Sequence, residues 1–212
     1  MDSYNFNHRS RNLVMKVILV IPDGLSQNNF DFKISKTYQS ALDSSIKESK
    51  LTSAIICLLP GNKFGSSNFE QFWAFNYLIN KNIKPELILI GESRGKKYLT
   101  TRDNFLMAIK YGFSSYLENK KIFLNEQIIE GEYTLISSHL HIDRALLILN
   151  ANSFKKPNQI LVSYSNEDQF ITKRLFYYQF PIIRMIYECF LMTRLFFEIK
   201  LKFFLKKLKI IN

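Results

Sequence analysis

The chain has 212 residues, 47% hydrophobic and 22% charged, enough for one sizeable core and outside the disordered, collagen-like and fibrous classes. Two cysteines and three histidines exclude a disulfide framework, and no Cys/His spacing matches a metal site, so no metal is expected. The net charge of +11 is uneven: from residue 171 onward nine lysines and arginines face only Glu188 and Glu198, so this tail carries +7 and the first 170 residues only +4.

The polar segment 1–13 reads as a loose leader without the apolar stretch of a signal peptide. No run reaches the roughly 18–20 uninterrupted apolar residues of a spanning helix. Cys57 and Cys189 sit inside apolar runs, which predicts buried, inert thiols in a reducing compartment.

Val14 to Ile21 predicts a first buried strand that ends at the turn Pro22-Asp23-Gly24. The polar stretch Leu25 to Lys33 leads into a helix over Ser35 to Lys47, with Tyr38, Ala41, Leu42 and Ile46 as its inner stripe. Ser53 to Leu59 is a second strand, followed by a Gly/Ser loop and a helix from about Asn68. Glu86 to Ile90 is a third, followed by Gly91 to Gly95 and a helix from Thr101 to about Tyr116, with Thr100 and Asp103 placed to cap it. A short strand over Lys121 to Leu124 fits before the fourth strong strand, Tyr133 to Ile136, and Gln159 to Val162 is a fifth.

This strand–loop–helix rhythm, repeated about four times, predicts an α/β fold: a Rossmann-like three-layer sandwich with a mainly parallel sheet of about five strands and added C-terminal helices. The domain spans residues 14–170 and the helical extension 171–212. In such sheets ligands sit beyond the carboxyl ends of the strands. Five of the seven glycines (Gly24, Gly61, Gly65, Gly91, Gly95) fall in the loops at those ends. No Gly-x-Gly-x-x-Gly, Walker lysine or Gly-x-Ser-x-Gly pattern occurs, which disfavours a standard dinucleotide site, a P-loop and a nucleophile elbow.

The densest chemistry follows the fourth strand, in Ser137-Ser138-His139-Leu140-His141-Ile142-Asp143-Arg144-Ala145. His141 and Arg144 are spaced i, i+3, so they share one face of a helix's first turn. An imidazole, a guanidinium and a helix N-terminus at one spot suit an anion, most simply a phosphate. The alternative is a purely structural pair, with Arg144 on a carboxylate and His141 filling a turn.

Gly24, Gly61 and Glu70, then Glu92 followed by Thr101-Arg102-Asp103-Asn104, then the Ser-Ser-x-x-His-x-x-Arg-Ala segment together resemble the YdcF/SanA/ElyC-like family of bacterial α/β proteins. The resemblance covers about residues 15–165. Pro22-Asp23-Gly24 departs from that family's more glycine-rich first turn. The resemblance implies a Rossmann-like sheet, a polar charged pocket and a link to envelope biogenesis, without naming a reaction or a cofactor.

On these grounds Arg144 is the expected anion clamp and His141 a general acid/base, or else a hydrogen-bonded residue at the strand end. Glu70 and Glu92 are read as carboxylates paired across the rim, one holding a ribose or a proton and the other orienting Arg144. Glu70 alternatively forms a capping box with Ser67, and Glu92 is alternatively a solvated loop residue. Ser137, Ser138, Thr101, Asn104, Gly61 and Gly24 complete the expected ligand-binding set. Asp23 is the weakest candidate, and His139 is given no role.

In the tail, the segment from Pro181 to Phe197 is apolar almost all round and is expected to pack on the domain. Leu201, Phe204, Leu205, Leu208 and Ile211 then form one stripe and Lys202, Lys206 and Lys209 another. Residues 199–212 therefore suit an anionic membrane surface, or a helix packed on the domain with its lysines in water. No nucleic-acid module precedes the tail, so nucleic acid is not the expected partner. The expected ligand is a phosphorylated or nucleotide-like small molecule, such as a lipid-linked envelope precursor, in a cytoplasmic protein that can reach the inner membrane face. The alternative is a non-catalytic envelope scaffold docked by its basic tail; whether the chain is an enzyme stays open.

Overall fold

Leu19 points to one face of a sheet and its apolar neighbours Ile18 and Val20 to the other, and both faces are covered. Val17, Leu19 and Ile21 enter one hydrophobic cluster, and Ile18 and Val20 enter another. The computed structural model describes residues 16–28, 31–62, 69–94, 99–115, 121–123, 132–139, 141–163, 165 and 181–207. The leader and the calls on Gly65, Ser67 and Gly95 lie outside them.

The strands are β1 (Val17–Val20), β2 (Leu25–Asn28), β3 (Asp31–Ile34), β4 (Ile55–Leu58), β5 (Ile88–Gly91), β6 (Phe113–Ser115), β7 (Lys121–Ile122), β8 (Tyr133–Ser138) and β9 (Asn158–Val162). The helices are α1 (Lys36–Thr52), α2 (Glu70–Asn80), α3 (Thr101–Tyr111), α4 (Ile142–Ala151) and α5 (Pro181–Lys207). The main sheet runs β7-β6-β5-β4-β1-β8-β9. The five strands β5, β4, β1, β8 and β9 are parallel; β6 and β7 add an antiparallel edge. The expected α/β three-layer architecture is therefore present, with two short strands added.

Helices α1 and α2 cover one face, where Tyr38, Ala41, Leu42, Ala74 and Leu78 pack on Ile18, Val20 and Ile56. Helices α3 and α4 cover the other, through Phe105, Ala108, Ala145, Ile148 and Leu149. Leu195 of α5 joins this second cluster, so α5 lies over the α3/α4 layer.

Several boundaries differ from the sequence reading. Leu25 to Ile34 holds an antiparallel hairpin, β2 with β3, with Leu25 and Ile34 buried opposite each other. Helix α1 runs on to Thr52 because Ser45 and Ser49 extend its inner stripe, their buried hydroxyls donating to Leu42 O and Ala54 O at 2.7 Å. Helix α3 stops at Tyr111, since Gly112 at φ 75° turns the chain into β6. A correction in packing concerns α5: among its described side chains one stripe meets the domain, and Cys189 is exposed while Cys57 is buried. Burial pushes the Cys57 thiol up, as expected for an inert core thiol.

Gly61 is needed for close approach. A Cβ there would lie 2.6 Å from Pro22 Cγ and 2.7 Å from Pro22 Cβ, a rigid ring that cannot swing aside. Gly61→Ala is expected to cost about 1–3 kcal/mol, read by thermal denaturation, because β4 must part from the Pro22 turn.

Candidate functional site

Strands β1 and β8 are neighbours whose following helices lie on opposite faces, α1 on one and α4 on the other. This is the switch point of the sheet, and the crevice at its carboxyl end is where open α/β sheets take ligands. The register Val20↔Ile136 carries the chain after β1 alongside Ser137 and Ser138 at the end of β8.

Asp23 reaches into that crevice and is the residue around which it is built. Its side chain is only 3% exposed and lies 3.1 Å from His141 Nε2. Ser138 donates to it twice, from Oγ at 2.8 Å and from the backbone N–H at 3.2 Å. Burial alone would raise the Asp23 carboxyl. The His141 ring and the hydrogen bonds from His141 and Ser138 together outweigh burial and hold it below the ordinary carboxylate value.

The far side of the imidazole meets Arg144, whose Nη2 contacts His141 Nδ1. A guanidinium only donates, so Nδ1 accepts and the ring proton sits on Nε2, toward Asp23. Arg144 in turn faces Glu188 of α5. Nη2 donates to Oε1 at 3.4 Å, while Nε lies 3.1 Å from Oε2 without the alignment of a hydrogen bond. The Arg144 and Glu188 side chains are 11% and 14% exposed, so this ion pair is largely shielded from water. The result is a continuous line, Asp23–His141–Arg144–Glu188, from the crevice floor to α5.

A second carboxylate closes the other side. Glu70, 3% exposed, accepts from Gly24 N–H at 2.9 Å and so pins the turn that carries Asp23. Helix α2 begins at Glu70 with Phe69 in the N-cap position and no side-chain cap; the Ser67 half of the expected capping box lies outside the described residues. Gly24 sits at φ 96°, where only glycine is relaxed. Gly61 N–H donates to Gln71 Oε1 at 2.9 Å. Both glycine N–H groups expected to face a ligand are therefore used within the protein.

Tyr38 stands between the two carboxylates electrostatically. Burial first, then the charges of Glu70 and Asp23, raise its pKa well above that of an ordinary phenol, so it keeps its proton. Its hydroxyl is buried without a hydrogen-bond partner among the described residues. Tyr38→Phe is expected to leave stability unchanged or raise it by about 1 kcal/mol, since it removes an unsatisfied buried group. A clear fall in the thermal midpoint would show that the hydroxyl is paired in solution.

The remaining predicted residues take supporting positions. Ser137 is buried and donates to Ser138 O. Thr101 is buried in the first turn of α3, which Thr100 and Asp103 cap with a complete capping box, as expected. With its amide turned so that the nitrogen faces these carbonyls, Asn104 donates to Thr100 O at 2.8 Å and Pro60 O at 2.9 Å, tying α3 to the end of β4. Glu92 accepts from Ser114 Oγ at 2.8 Å and pairs with Lys121 Nζ at 3.0 Å and Arg94 Nη2 at 3.4 Å. Burial opposes its charge, but Lys121, Ser114 and Arg94 lower its pKa. Because β4 and β1 separate β5 from β8, Glu92 serves the β5–β6–β7 edge and does not orient Arg144. His139 is exposed.

The crevice thus brings together Asp23, Glu70, Ser138, His141 and Arg144, and leaves Glu92, Thr101 and Asn104 to its supports. Two contributors, Tyr38 and Glu188, escaped the sequence reading, and a third, Asp23, was its weakest candidate. Asp23 showed only as one acid in a turn, Tyr38 as a core aromatic and Glu188 as a tail charge. No family model, curated protein or solved structure matches the chain.

Proposed function

We propose that the chain binds a phosphorylated or nucleotide-like small molecule in the crevice between β1 and β8, where the resemblance to YdcF/SanA/ElyC-like proteins implied a polar charged pocket. The observation that carries this reading is the Asp23–His141–Arg144 line at the switch point, which ends on a carboxylate. A site that holds Glu188 against a guanidinium suits an anionic ligand group in the same place. Asp23 and Glu70 at the opposite end are buried and hold the turn and His141 in place.

Binding is favoured over acid–base catalysis by the way the groups are spent. Both His141 nitrogens, the Glu70 oxygen on Gly24 and the Asp23 oxygens on Ser138 are committed to positioning one another. His141 here aligns Arg144 against Asp23 and is a positioning residue.

A thermal-shift panel of nucleotides, S-adenosylmethionine, sugar phosphates, polyprenyl phosphate and inorganic phosphate tests the reading. A ligand at a hundred times its dissociation constant adds about 2.7 kcal/mol of stability. The expected result is a shift with one phosphorylated class. A panel with no shift at all overturns the assignment.

A further inference from the structure

The outer face of α5 is apolar where a surface helix is normally polar. Ile182, Met185, Ile186, Phe190, Phe197 and Leu201 are each between 59% and 69% exposed. At 100° per residue they fall within roughly 160° of arc on a helix about 40 Å long. The opposite stripe is fully used: Leu195 enters the core, Glu188 meets Arg144, and Glu198 meets Arg102. The two acids of the helix each meet an arginine of the domain. Arg194, 67% exposed, pairs with Glu198 Oε1 at 2.9 Å, Lys200 lies over the Phe196 ring at 5.4 Å, and the sequence of the last turns adds Lys202, Lys206 and Lys207. No helix among the described residues is long and apolar enough to cross a membrane.

We infer that α5 lies flat in the headgroup region of an anionic phospholipid membrane, with Ile182, Met185, Ile186, Phe190, Phe197 and Leu201 toward the acyl chains. Charge complementarity selects this occupant. A second copy of the chain would bring like charges together, since α5 carries six lysines and arginines against two glutamates, a net +4. An anionic leaflet rewards both the apolar stripe and the lysines. Met192 of α5 also lines a groove of about 480 Å³ with Leu146, Phe154 and Pro157, beside exposed Lys155 and Lys156, so apolar and basic groups recur together on this side. This face spans residues 182–201; the sequence expectation for 199–212 falls largely outside the described side chains.

The test is vesicle flotation of the full chain with phosphatidylcholine alone and with phosphatidylcholine mixed with phosphatidylglycerol. An environment-sensitive fluorophore on Cys189, the exposed thiol, reports insertion independently. Flotation with the mixed vesicles, weakened by salt, and a blue shift of the fluorophore are expected. The paired substitution Ile186→Glu and Phe190→Glu should lower the partition constant by at least about tenfold. Both positions are exposed, so circular dichroism and the thermal midpoint should match the parent; Phe197→Glu, elsewhere on the stripe, gives a second reading. Failure of the parent to float, equal flotation on neutral vesicles, or equal flotation of the substituted chains overturns the inference. So does a dimer in sedimentation that the same substitutions dissolve. Ligand binding in the β1/β8 crevice is read separately by thermal shift, so either proposal can fail alone.

Discussion

Asp23→Ala should be the most destabilising substitution in the crevice, costing about 3–5 kcal/mol. The carboxylate is almost fully enclosed and serves the Ser138 N–H, the Ser138 hydroxyl and the His141 ring. Its removal leaves these buried donors without an acceptor, and the His141 ring loses the group that fixes its tautomer. For a chain of this size, roughly 10 °C off the thermal midpoint is expected. Asp23→Asn keeps one acceptor oxygen and should cost less. The acid side separates charge from packing. Folding lowers the Asp23 pKa, so its ionisation contributes stability fully above the ordinary value of 3.8, and that contribution is lost as pH falls through the lowered folded value. The parent should therefore lose stability more steeply on acidification than Asp23→Asn. Parallel pH profiles would show that Asp23 is neutral in the native crevice.

The contrast between Asp23 and His141 shows what was legible in the sequence. His141 and Arg144 were readable because their relation is local: three residues apart at a helix start, they must share a face. The parallel sheet was readable because β1, β4, β5 and β8 are near-continuous apolar runs. Asp23 was not, because its significance depends on a partner 115 residues away, brought in by the β1–β8 register. Tyr38 lies on the apolar stripe of α1, and nothing local distinguishes an ordinary core aromatic from one whose buried hydroxyl feels the charge of two carboxylates. The hairpin β2–β3 hid in a polar stretch, in which Leu25 and Ile34 are buried opposite each other. The orientation of α5 was the least legible feature. A helix apolar almost all round has no preferred inner face in sequence, and what turns it is the pairing of Glu188 and Glu198 with Arg144 and Arg102.

That pairing leads to the second large effect. Arg144→Ala is expected to abolish the ligand-induced thermal shift, while Glu188→Gln should strengthen it. If an anionic ligand group takes the place of the Glu188 carboxylate on Arg144, the carboxylate is a built-in competitor. Neutralising it removes that competition, and affinity should rise roughly tenfold, which corresponds to about 1.4 kcal/mol. The same substitution deprives a shielded guanidinium of its counter-charge, so the stability of the unliganded protein should fall by about 1–3 kcal/mol. Opposite signs for stability and affinity are the signature. A merely structural ion pair predicts that both fall together, because a loosened α5 would disturb His141 and Asp23 through Arg144. Glu198→Gln supplies the control. It loosens α5 at Arg102 but leaves Glu188 on Arg144, so affinity should stay near the parent value. Tighter binding in Glu198→Gln would mean that undocking the helix, rather than freeing the guanidinium from its carboxylate, opens the crevice.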